Sequence, residues 1–264
     1  MEPKPYKIVV FDLDETLGYF QQLGGFCNIL QKYYKIKLSQ MDFNILLDLY
    51  PEFLRPNIIP ILQYLKHKKR EKRCFRIMIY TNNKAPKHWA EKIKNYFNYK
   101  LNYSLFDKII GAFKVNGKII ESNRTTTQKT VDDFFRCTKL PKTTEICFID
   151  DKLFKKMITK NVYYVHLQPY VFMISNQDMI QRYIKSSICK KMITDININN
   201  NLLRLLENNN ILINHINNYE IHKIISKKII YHLQLFFNKS FNSDSTRKNN
   251  QKKKTKNKTV KFFQ

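Results

Sequence analysis

The sequence predicts an α/β protein built on a parallel, doubly wound sheet. Two observations carry that prediction. Short apolar runs at residues 8–11, 75–80, 146–149 and 162–165 alternate with stretches whose apolar residues repeat at helical spacing. Three of these runs end directly in polar groups: Asp12-Leu13-Asp14, Thr81-Asn82-Asn83 and Asp150-Asp151. Open α/β sheets bind their ligands at the carboxyl ends of strands, so these three endings are the candidate site.

Each element can be justified in order. Residues 6–11 read as the first strand. Residues 19–50 mix aromatic and aliphatic residues at helical spacing around Gly24-Gly25 and read as a small helical insert. Pro56 is placed to open a helix, and Ile58, Ile61, Leu62 and Leu65 line one face of it over 57–67. A basic turn at 68–73 leads to the second strand, 75–80. Pro86 then opens a helix over roughly 86–97, with Trp89 on it as a packing or rim residue. Residues 109–120 alternate weakly around Asn116-Gly117, the strongest short hairpin signal. Residues 128–138 read as a helix, and 146–149 and 162–165 as the last two strands.

The pattern changes near residue 190, which divides the chain into a principal domain (1–190), a helical appendage (191–237) and a basic, disordered tail (238–264). Residues 197–218 are rich in Asn. Ile221, Ile225, Ile229 and Leu233 follow at four-residue steps, an amphipathic helix. The last 29 residues hold nine Lys or Arg and one acid, a composition that cannot build a core. Within them, Lys252-Lys253-Lys254-Thr255-Lys256 reads as a nuclear address, a nucleic-acid contact or a solvated tail.

Charge and cysteine content bound the function. The chain carries 47 Lys and Arg against 21 Asp and Glu, a formal charge of +26. Such a field attracts polyanions: nucleic acid, phosphorylated protein or an acidic membrane face. An AT-rich coding sequence accounts for part of this Lys- and Asn-rich composition equally well. The five Cys have no C-x-x-C spacing, as expected of a reduced, intracellular protein, cytoplasmic or nuclear. Only four apolar residues separate Lys7 from Asp12, too few for a signal peptide. No run approaches the ~18 apolar residues of a membrane span.

The three strand endings form a constellation when taken together. One Asp-x-Asp could be a loop end or a helix cap. The same motif joined in order by Thr-Asn and Asp-Asp, each after an apolar strand, points to a metal and a carboxylate nucleophile. A base should sit near a helix start between the second and third endings. Lys129 fits, with Arg124 and Lys139 as alternatives.

These residues resemble the haloacid dehalogenase-like superfamily over roughly residues 6–170. The likeness is to its aspartate-nucleophile phosphatases of the RNA polymerase C-terminal-domain phosphatase, or NLI-interacting-factor-like, branch. Asp12-Leu13-Asp14-Glu15-Thr16-Leu17 has the form of that branch's first motif, and Leu54-Arg55-Pro56 is similar to its Arg-Pro segment. The wording of the motifs is also similar to phosphatase-like proteins of large DNA viruses. The sequence departs from the branch at Gly18-Tyr19, where Val-His is usual, and at Thr81-Asn82-Asn83, where Thr-Ala-Ser is frequent.

The resemblance implies a Mg²⁺-dependent phosphatase acting on phosphoserine or phosphothreonine in a protein, with a nucleic-acid end or nucleotide as the other substrate class and a non-catalytic adaptor as the third reading. It implies Asp12 as nucleophile and Asp14 as general acid and base. Thr81 and Asn82 would hold phosphoryl oxygens, and Lys129 would neutralise charge. Asp12, Asp150, Asp151 and the Asp14 carbonyl would ligate the metal. The small inserts imply an open site suited to macromolecular substrates.

Overall fold

The computed structural model describes residues 5–192, 198–207, 218–238 and 259–261. Its centre is an all-parallel sheet. The strands are β1 (Lys7–Phe11), β2 (Arg76–Tyr80) and β3 (Lys108–Ile110), then, beyond a two-stranded hairpin, β6 (Glu145–Asp150) and β7 (Val162–His166). Their spatial order is β3-β2-β1-β6-β7. The chain first builds outward from β1 through β2 to β3, then returns and builds the other way from β6. The sheet therefore reverses its direction of growth between β1 and β6, the place where doubly wound folds form a ligand crevice.

Alternation along the strands serves two cores. Val9, Phe11, Ile77, Ile79, Cys147 and Ile149 face one side, while Ile8, Val10, Met78, Tyr80, Ile146 and Phe148 face the other. Both faces are buried, which is why these strands read as continuous apolar runs. The first side is covered by α1 (Gln21–Tyr34), α2 (Gln40–Leu49), α3 (Ile58–Arg70) and α4 (Lys87–Leu101). The second is covered by α5 (Val131–Thr138), through Phe134 and Cys137, and by Phe154 and Met157.

Several boundaries differ from the sequence reading for local reasons. The weak alternation at 109–120 splits. Lys108–Ile110 joins the main sheet beside β2, and the hairpin is confined to β4 (Lys114–Val115) and β5 (Lys118–Ile119). Its turn places Asn116 and Gly117 at φ 48° and 79°, the left-handed pair that a two-residue hairpin needs. Helix α3 opens at Ile58 rather than at Pro56, because Asn57 takes a left-handed conformation and serves as its N-cap. Helix α5 opens at Val131, because the Thr130 hydroxyl caps it by accepting from the Asp133 amide at 3.0 Å. Lys129 thus lies just before the helix, ahead of its N-cap.

Beyond β7 come α6 (Asn176–Ile184), α7 (Ser187–Met192), α8 (Ile198–Glu207) and α9 (Tyr219–Asn238). The segment expected as an appendage contributes Leu202, Leu206, Ile225, Ile229, Leu233 and Phe236 to the same core as α1–α4. Helix α9 is also tied by polar contacts along its length. Ser226 donates to the Pro56 carbonyl, the Tyr163 hydroxyl meets His232 Nδ1 at 2.5 Å, and Lys7 Nζ donates to the Phe236 carbonyl at 2.6 Å. That last contact places a cation on the helix's carbonyl end, where its dipole favours one. Of the segment expected to be a disordered tail, Thr259–Lys261 forms β8, paired parallel to β7 at the open sheet edge. The run Lys252-Lys253-Lys254-Thr255-Lys256 and residues 208–217 of the Asn-rich stretch lie outside the described residues.

Because α9 shares the principal core, Leu233→Ala should cost about 2–5 kcal/mol and leave a single cooperative urea transition. A separable appendage would instead unfold on its own, leaving the main transition in place.

Candidate active site

The site lies where β1 and β6 end side by side. The Asp12 amide donates to the Ile149 carbonyl at 2.9 Å, locking the two strand ends together. Asp12, Asp150 and Asp151 are all buried, and one carboxylate oxygen from each lies within 4.8 Å of the others. Lys129 enters from the segment before α5. Its ammonium donates to Asp12 Oδ1 at 2.5 Å and to Asp150 Oδ2 at 2.7 Å. The rings of Phe154, Phe148 and Tyr80 stand 5.2, 5.7 and 5.8 Å from Lys129 Nζ, so their faces supply further cation–π attraction.

The electrostatics follow from this burial. Loss of water pushes the carboxyl pKa values of Asp12, Asp150 and Asp151 upward, while the Lys129 charge pulls each of them back. For Lys129 burial alone would favour the neutral amine, but Asp12 and Asp150 outweigh it and hold the ammonium charged. Three carboxyl groups share this dry pocket with one ammonium. Hard oxygen donors gathered in this way could hold a metal ion.

Asp14 stands apart. Its carboxylate is outside the buried cluster and accepts from Asn83 Nδ2 at 2.6 Å. Burial raises its pKa to about 6 despite that hydrogen bond. It lines a cleft of about 820 Å³ between α1 and the start of α4, together with Tyr19, Lys84 and Trp89. Trp89 also packs edge-on against Phe43 at 5.4 Å, so it serves as both wall and core.

The remaining candidates separate clearly. Thr81 is buried at the end of β2, and its Oγ1 accepts from the Asn83 amide at 3.0 Å, a contact that uses a lone pair rather than the hydroxyl proton. Arg124 is buried but spent on structure: it donates to the carbonyls of Gly111 and Thr81 and to Asn82 Oδ1. Lys139 is the left-handed C-cap of α5. Of the three bases, Lys129 is the one that meets the carboxylates.

Three supporting residues escaped the sequence reading. Asn83 was visible only as part of Thr81-Asn82-Asn83. Thr16 exchanges hydrogen bonds with Asp151, accepting from its amide and donating to Oδ1, both at 3.1 Å. Arg55 donates to the carbonyls of Glu15 and Thr16, each at 2.6 Å. Its sequence signal was its place in Leu54-Arg55-Pro56, the element similar to an Arg-Pro segment, which carried no role for the side chain. No protein-family model matches this chain, and no curated protein matches it at a significant level.

Two measurements follow from these charges. Lys129→Met leaves Asp12 and Asp150 buried without their counter-charge, and should cost about 3–5 kcal/mol in chelator at neutral pH; a loss below ~1 kcal/mol would place the ammonium in water. His222, beside Arg55, has its pKa pushed to about 4 by burial and by that guanidinium, from an ordinary 6.5. The unfolded chain therefore binds this proton first as pH falls, and stability drops between about 6.5 and 4 by roughly 3 kcal/mol at most. Urea titrations at several pH values should show a flatter acid limb in His222→Gln.

Proposed function

We propose that this chain is a Mg²⁺-dependent phosphomonoesterase of the haloacid dehalogenase type, acting through an aspartyl-phosphate on Asp12. One observation carries the reading: Lys129 bridges Asp12 and Asp150 where the sheet reverses direction, while Asp14 faces the cleft with a separate partner. That division matches a reaction needing one carboxylate to attack and another to move a proton.

The metal would be held by Asp12, Asp150 and Asp151, with the Asp14 carbonyl, and would offset phosphate charge as a Lewis acid. In the first half-reaction an Asp12 oxygen attacks phosphorus, and the bond from phosphorus to the leaving oxygen breaks. Asp14 gives that oxygen its proton. In the second half, Asp14 takes a proton from water as the water attacks phosphorus. The bond from phosphorus to Asp12 then breaks and inorganic phosphate leaves. Lys129 would favour the ionised form of Asp12, orient it, and stabilise charge on the transferring group. Thr81 would donate its hydroxyl proton to a phosphoryl oxygen, as would the Asn82 amide.

The substrate we propose is phosphoserine or phosphothreonine in a protein, supported by the resemblance of the first motif and by a cleft that opens directly on Asp14. The charge of +26 favours a second substrate class, phosphorylated nucleic-acid ends.

Release of phosphate from p-nitrophenyl phosphate should require Mg²⁺ and vanish in Asp12→Asn. Asp14→Asn should lower kcat by about 10²–10⁴-fold. Turnover that survives Asp12→Asn would remove the nucleophile assignment. Phosphopeptides assayed beside 3′- and 5′-phosphorylated oligonucleotides then decide the substrate. Inertness of folded wild-type protein toward all of them would make the chain a binding module.

A further inference from the structure

Arg55 is fully buried, and among the described residues no carboxylate is paired with it. Its guanidinium instead reaches backbone carbonyls. Nε donates to Thr16 O at 2.6 Å, and Nη2 to Glu15 O at 2.6 Å and Gln168 O at 3.0 Å. The remaining direction, from Nη1, is met by His222 Nδ1 at 3.2 Å. The Tyr170 ring lies 5.5 Å from the guanidinium carbon and edge-on to the imidazole at 4.9 Å. A guanidinium has only donors, so the imidazole nitrogen facing it must be an acceptor.

Two of the carbonyls that Arg55 holds, those of Glu15 and Thr16, belong to a strained turn. Glu15 has φ 61°, a left-handed conformation that costs a non-glycine residue roughly 1–2 kcal/mol. Such a conformation persists only where its surroundings over-determine it. The Glu15 carbonyl also accepts from the Tyr170 amide at 2.8 Å. Thr16, next in the chain, bonds Asp151 through its side chain. A continuous path therefore runs from His222 on α9 through Arg55 and Thr16 to a carboxylate of the site.

We propose that Arg55 and His222 form a positioning pair that sets the backbone of loop 12–16, so that α9 supports the catalytic geometry as well as the core. The part that concerns turnover rests on the phosphatase reading above; the part that concerns the loop does not. The pair touches neither Asp12 nor the transferring group and acts through Thr16 and Glu15 alone.

The full-length chain carrying His222→Leu, which has no acceptor, is compared with His222→Gln, which keeps an amide oxygen. Two readouts are taken: hydrogen exchange across residues 13–18, and Mg²⁺-dependent hydrolysis of p-nitrophenyl phosphate. Removing one acceptor from a charged donor should speed loop exchange in His222→Leu about tenfold while β6 exchange stays unchanged. Its kcat should fall about tenfold with KM within about twofold, as expected for lost alignment rather than lost binding. His222→Gln should recover both. Unchanged loop exchange overturns the proposal. So does loosening of β6 equal to that of the loop, which would mark a global loss of stability. If the wild type hydrolyses nothing, the phosphatase reading fails separately, and the exchange experiment still decides whether the pair sets the loop.

Discussion

Everything near the sheet's switch point depends on one arrangement of charge: three buried carboxylates facing a single ammonium. An unpaired carboxylate in so dry a place would cost several kcal/mol or take up a proton. Lys129 opposes that for Asp12 and Asp150, and Thr16 supports Asp151 by hydrogen bonds. The ammonium is itself dry, and it is accommodated by the faces of Phe154, Phe148 and Tyr80. These aromatics belong to the smaller of the two cores. The core under α5 thus packs the sheet and also lines the seat of the cation. Capping α5 with an extended Thr130 leaves Lys129 just ahead of the helix, from where its side chain reaches the strand ends.

How much of this was legible in the sequence depended on how local the cause was. Strands buried on both faces announce themselves as apolar runs, and their polar endings mark the site. Lys108–Ile110 was hidden because three residues carry little pattern and the neighbouring Asn-Gly turn dominated the reading. The choice among Arg124, Lys129 and Lys139 could not be made from spacing, since all three flank α5. What separates them is spatial: Arg124 finds carbonyls and Asn82, and Lys139 ends a helix. Arg55 and His222 were least visible, because their contact spans 167 positions of sequence and neither residue has a periodic partner.

The helix that carries His222 shows the same limit at larger scale. Its four-residue apolar repeat announced an amphipathic helix but not what that helix would pack against. Packing settles the matter through groups from distant segments: the Pro56 carbonyl, Tyr163 and Lys7. A cation at the carbonyl end and an imidazole at the opposite end fix its position along its axis. Apolar contacts alone, being non-directional, would tolerate sliding.

Gly18 is one of the departures from the motif that the first strand's ending resembles. The structure supplies a packing reason. A Cβ at Gly18 would meet the Phe53 carbonyl oxygen at 2.4 Å and the Phe20 ring at 2.6 Å. This close approach closes the loop on itself: the Glu15 amide donates to Gly18 O at 2.7 Å, and the Tyr19 amide donates to Phe53 O at 2.7 Å. The left-handed Glu15 and the side-chain-free Gly18 are therefore two parts of one turn. Asp12 and Asp14 lie two residues apart and would share a face if β1 continued. The strand stops at Phe11, and the turn that follows sends Asp12 into the buried cluster and Asp14 to Asn83 and the cleft. A side chain at position 18 would have to displace the Phe53 backbone, opening the turn that aims Asp14.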